Sequence, residues 1–176
     1  AGTWDAGSKD SAIVADLKPG IYTAIVRGKN DATGVGLVEV FELDKSNTSS
    51  TVAAISTRAF VKSGEEVSIA GFVIEGDKPK SVLIRAAGPA LTKAGVNGAL
   101  ANPVLEIYDR KGQKFAENDD WDKSLAADFA KVGAGAWEVG SKDSAIVLTL
   151  NPGLYTAMVR GAEGATGVAL VEVFAK

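Results

Sequence analysis

SKDSAIVADLKPGIYTAIVRG runs from residue 8 to residue 28, and SKDSAIVLTLNPGLYTAMVRG from residue 141 to residue 161. Each string reads as two strands joined by a Pro-Gly turn, and TGVALVEVFA (166–175) reads as a third. The match extends outward from these strings. With Trp4 laid over Trp137, residues 1–43 and 134–176 align without a gap, and roughly two-thirds of the positions are identical.

The offset between the copies is far too long for a solenoid repeat and is the length of a domain. The chain therefore divides into three parts. Residues 1–43 are a partial repeat, the C-terminal third of a β-sandwich unit. Residues 44–51, DKSNTSST, are a small, polar linker. Residues 52–176 are a complete β-sandwich repeat.

Within the complete repeat, EEVSIAGFVIEG alternates Val67, Ile69, Gly71 and Val73 on one face, the pattern of a half-buried strand. KSVLIRAAG and PVLEIYDRKG read as two more strands, the second ending in a turn at residues 109–112. DKSLAADFAKVG predicts a short helix capped by Asp122, with Leu125, Phe129 and Val132 on one face. PALTKAGV predicts a second helical turn. GATG (164–167) and its counterpart DATG (31–34) read as hairpin turns. Many short strands separated by Gly, Pro and Asn predict an all-β, antiparallel, jelly-roll-like sandwich with one or two short helices.

Composition narrows the chemistry. The 176 residues carry a formal charge of −3 and contain neither cysteine nor histidine. That removes disulfides, thiolate nucleophiles, imidazole bases and nearly every zinc or copper site. A pI near 5.1 offers no basic face for nucleic acid. No apolar run approaches the ~20 residues of a membrane span. The sequence opens on Ala1 with nothing resembling a signal peptide, and reads as a processed product or a segment of a longer chain.

From Pro103 onward, PVLEIYDRKGQKFAENDDWD, KDSAIVLTLNPGLYTAMVRG and GATGVALVEV occur in the order of the bacterial pre-peptidase C-terminal (PPC-type) domain. The chain resembles that family through a D-x-x-G turn, an N-D-D element and L-x-P-G-x-Y. The resemblance implies a jelly-roll sandwich, secretion by a bacterium, and a non-catalytic accessory or binding role. The stretch ISTRAFVKSGEEVSIAGFVIEGDKPKSVLIRAAGPAL looks more like the tandem units of very long bacterial surface proteins.

ENDDWD (117–122) is the densest acidic cluster. Asn118, Asp119, Asp120 and Asp122 are candidate calcium ligands, which backbone carbonyls and water would have to complete. Their alternative roles are a helix cap at Asp122 and Asx turns. Trp4, Trp121, Trp137, Tyr22, Tyr108 and Tyr155 are candidates for stacking carbohydrate, against a simpler role in packing and at sandwich corners. No arrangement places a base beside a serine or pairs two carboxylates across a cleft, so the expectation is that the protein is not an enzyme.

Residues 1–43 bring strands without the sheet that would face them. Val14, Leu17, Tyr22, Val26, Leu37, Val40 and Phe41 are therefore the candidate assembly contacts. The reading is a structural extracellular repeat, at the bacterial cell surface or beyond it. It assembles head-to-tail with itself, as a homopolymer or as adjacent tandem repeats, and a neighbour completes the first strands. The alternative is a carbohydrate- or protein-binding module of a secreted enzyme.

Overall fold

The computed structural model describes residues 5–44 and 49–175. The chain divides into two units, Ala1–Thr51 and Val52–Lys176. Trp4 and part of the 44–51 linker lie outside the described residues.

The second unit is a sandwich of two four-stranded antiparallel sheets. In chain order its strands are β1 (Ala54–Val61), β2 (Ser68–Ile74), β3 (Lys80–Ala87), β4 (Pro103–Asp109), β5 (Lys114–Asn118), β6 (Ser144–Leu150), β7 (Gly153–Gly161) and β8 (Gly167–Ala175). One sheet has the order β1-β8-β3-β6 and the other β2-β7-β4-β5. Two short helices, α1 (Pro89–Lys93) and α2 (Ala126–Lys131), complete it.

The main core lies between the sheets. Val82, Ile84, Val171 and Leu150 from one side meet Ile74, Leu105, Ile107 and Val159 from the other. A second, smaller core covers the outer side of the first sheet, where Leu83, Ala145 and Phe174 pack under Trp121 and Phe129. Strand β3 is covered on both faces, which accounts for its nearly unbroken apolar run. Asp122 caps the turn leading into α2 by accepting from the Ser124 N–H at 2.7 Å.

Three details depart from the sequence reading. The period of β2 is as expected, but its buried side carries Ser68, Ala70, Phe72 and Ile74, while Ile69, Gly71 and Val73 face solvent. Alternation gives a period and not a direction; Phe72 is held inward by stacking on Tyr155, with ring centroids 5.7 Å apart. Strands β1 and β5 carry no such period and are mostly exposed. GATG joins β7 to β8, which lie in different sheets, so it is a crossover and not a hairpin.

That last correction extends to the first unit. Because β6, β7 and β8 fall in alternate sheets, none pairs with another: β6 pairs with β3, β7 with β2 and β4, and β8 with β1 and β3. Their counterparts in residues 5–44 accordingly form no strand ladder. Every described residue there is exposed, Val35 and Ile21 completely. The three strands expected in residues 1–43 are thus not formed among the described residues of the first unit, which holds no sheet for them to enter.

If the inter-sheet core carries the stability, Ile107→Ala should lower the unfolding free energy by about 3 kcal/mol. Ile69→Ala, on the outer face of β2, should change it by no more than about 0.5 kcal/mol. Urea titration of the two variants beside the parent chain measures both.

Candidate functional site

The segment that closes the sandwich, residues 134–175, docks on the half built from β1 to β5. Its entry point is SKDS. Asp143 has no solvent exposure, and its carboxylate accepts from the Gly88 N–H at 2.7 Å and from the Ala90 N–H at 3.1 and 3.2 Å. These amides open α1, where Pro89 occupies the first turn and leaves them otherwise unmet. Ser141 donates its hydroxyl to the same carboxylate. Gly88 must be glycine, because a Cβ there would stand 2.1 Å from the Leu100 carbonyl oxygen.

The next residues dock on ENDDWD. The Ser144 hydroxyl lies 2.5 Å from both the Pro103 and Asp119 carbonyl oxygens. The Ala145 N–H donates to Asn118 Oδ1 at 2.9 Å, and Lys142 Nζ reaches Asp120 at 2.7 Å. In the other direction the Trp121 N–H donates to the Asp143 carbonyl at 2.8 Å, and its indole N–H to the Glu138 carbonyl at 3.1 Å. The acidic cluster and the repeated SKDS motif are the two halves of one latch.

Two ion pairs extend the contact. Arg85, 4 % exposed, donates through Nε to Glu172 at 2.9 Å and through Nη1 to the Gly135 carbonyl at 2.7 Å. Its guanidinium lies 4.4 Å from the centroid of Trp137, 4.7 Å from Phe129 and 5.3 Å from Phe174. Arg160, from β7, donates to buried Glu106 of β4 at 3.0 Å, with Tyr108 at 2.7 Å and Lys114 at 3.2 Å on the same carboxylate. Burial alone would raise the Glu106 pKa. The bonds from Tyr108, Arg160 and Lys114 outweigh it and hold the group at about 2.

The four candidate calcium ligands do not converge. Asn118 uses its oxygen for Ala145 and its amide for the Asp120 carbonyl at 2.9 Å. Asp120 is paired with Lys142 and Asp122 is spent on its cap. Among the described residues no group of three or more His, Cys, Asp or Glu could hold a metal ion. A hard cation needs six to eight oxygens, so calcium here would call for carbonyls and water beyond these side chains. Of the candidate stacking aromatics, Trp121 and Trp137 pack on one another and on Phe129. The Tyr155 hydroxyl donates to the Asn151 carbonyl as a corner. One cleft is lined by Asn102, Val104, Glu117, Asp119, Arg160 and Glu163 among others, and a second by Lys93, Trp137 and Ser141 among others.

The seven candidate assembly residues are all exposed. Their equivalents in the docked copy are Val147, Leu150, Tyr155, Val159, Leu170, Val173 and Phe174. Six of these belong to the two cores or pack against them. What the sequence reading missed was the acceptor side, Arg85, Gly88 and Glu106; an arginine in the apolar run of β3 was its one visible sign.

Two antiparallel sheets closed by a latched C-terminal third define the chain as a β-sandwich of jelly-roll type. No family model matches it, and no curated protein does. Among solved structures it is similar to the pre-peptidase C-terminal domain of collagenase from Bacillus anthracis, with a TM-score of 0.43 and 10% sequence identity, over 69% of this chain and 89% of that one. That domain bears the name of the family whose motif order the sequence resembles. No helix among the described residues is long and apolar enough to cross a membrane.

Two tests follow from the latch. Asp143→Ala strands two buried amides and should cost about 3–5 kcal/mol in urea unfolding. The second concerns acid. With its pKa held at about 2 in the fold against an ordinary value of 4.5, Glu106 stabilises the fold fully above about pH 4.5, and the contribution disappears as pH falls through about 2. Arg160 and Lys114 are partly exposed, so screening reduces it to on the order of 2 kcal/mol. Glu106→Gln should flatten that part of the stability–pH curve, and an unchanged acid limb would refute the assignment.

Proposed function

We propose that the chain is a window on a structural, non-catalytic array of extracellular β-sandwich repeats, in which residues 1–43 are completed by a neighbouring unit. One observation carries the reading. Two segments share roughly two-thirds of their residues, yet only the second has sheets to enter, and the first exposes the side chains that the second buries.

An exposed apolar segment of this kind is costly in water and sticky. A unit supplying β1 to β5 in the neighbouring position removes that cost by the contacts that hold residues 134–175. Repeated along the chain, the arrangement is heterologous and does not close on itself, which produces a fibre and not a ring. The use of Asn118 and Asp120 in the latch favours assembly over ligand binding.

Electron microscopy of material from the native source, beside a denaturing gel, tests this. Thin filaments or long surface projections with a regular axial period are expected. Compact isolated particles would overturn the proposal.

A further inference from the structure

We infer that residues 5–44 are the closing segment of a second sandwich, keyed to an acceptor half of the same plan as β1 to β5 but other than residues 52–133. The inference deepens the array reading, and rests on it only for where that acceptor comes from.

The local geometry of the first segment is already that of the docked one. The Tyr22 hydroxyl donates to the Lys18 carbonyl at 2.8 Å, as Tyr155 does to Asn151 at 2.9 Å. Ser8 donates to Asp10 as Ser141 does to Asp143. Asn30 and Glu163 take the same left-handed conformation, at φ 56° and 53°, in the turn after Gly28 and Gly161. Thus the turns persist without the sheets, and long-range partners are what differ.

Those partners can be specified residue by residue. Asp10 requires two helix-opening amides, as Gly88 and Ala90 supply to Asp143. Ser11 requires the pair of carbonyls that Pro103 and Asp119 present to Ser144. Arg27 requires a buried carboxylate in the place of Glu106, and Glu39 a guanidinium in the place of Arg85. All four residues are identical in the two copies. The partner is therefore a half-sandwich with a Gly-Pro turn, an Asn-Asp-Asp-Trp-like loop, a buried arginine and a buried glutamate.

Counting and fit separate that partner from residues 52–133. Residues 1–176 hold one acceptor half and two closing segments. The segments also differ in volume at two docked positions. Ala15 stands where Leu148 packs against the main core, and Gly36 where Ala169 is 1 % exposed within it. On residues 52–133 the first segment would leave both spaces empty. Its own acceptor must fill them from the opposite side, so each segment prefers its own half.

The test joins a second copy of residues 52–133 directly ahead of Ala1, keeping residues 1–176 intact, and follows limited trypsin digestion by mass spectrometry. In the 176-residue chain, Lys9, Arg27 and Lys29 should be cut rapidly and Arg160 slowly. In the extended chain those three sites should be cut at least about 100-fold more slowly, because cleavage follows the population of the undocked segment. Asp10→Ala should restore rapid cutting there and leave Arg160 protected. Ala15→Leu with Gly36→Ala should slow cutting by a further tenfold or so, since the added copy lacks the compensating bulk. That variant also guards against an added half that fails to fold. Rapid cutting even there would overturn the inference. So would protection of Lys9 to Lys29 gained only as Arg160 becomes exposed, or no gain from the two substitutions. Protection without filaments in native material would remove the array and leave the partner of this segment standing.

Discussion

Strands β6, β7 and β8 follow one another in sequence but alternate between sheets, and this constraint governs everything else in the molecule. A hairpin carries its own ladder, whereas this segment carries none. Its strands take their ladder hydrogen bonds from β1 to β4, and its apolar faces pack on those strands, on α2 and on Trp121. The same residues are consequently a sandwich wall in one place and exposed extended chain in another. Each buried backbone amide needs a partner, and for this segment the partner is always elsewhere.

The latch at the start of the segment fixes its register. One buried carboxylate on two backbone amides, one serine between two carbonyls and one asparagine accepting from β6 hold residues 143–145 in place at the head of the segment. A slip of one residue would turn every side chain of β6 to the other face and leave Asp143 buried without its amides. Arg85 and Arg160 then tie the far strands of the segment, β8 and β7, to the acceptor half. No buried side-chain nitrogen or oxygen among the described residues lacks a partner, so this polar contact specifies the docking without a desolvation debt.

Much of this was legible in the sequence. The repeat, the sandwich class, the helix after Asp122 and the tyrosine corner all follow from local pattern, because caps, turns and period-two runs are decided within a few residues. What failed needed knowledge of which strands are neighbours. The exposed side of β2 carries Ile69 and Val73, as apolar as the buried side, so alternation could not choose between them. The GATG turn has hairpin composition, but its flanking strands belong to different sheets. ENDDWD has the density of a cation site, yet its groups are used by SKDS, more than twenty residues further on. Seven identical residues in SKDSAIV carried the signal for that docking. Its meaning required the acceptor to be in view.

The central claim is that docking, and not local sequence, decides whether a closing segment becomes sheet. Native-state hydrogen exchange on the 176-residue chain tests it most directly, because the two copies are near-identical and report in one sample. Amides of β6, β7 and β8 should exchange only on global unfolding, while those of residues 11–17, 20–28 and 34–42 exchange at close to the rate of unstructured peptide. Comparable protection in the two copies would contradict the account.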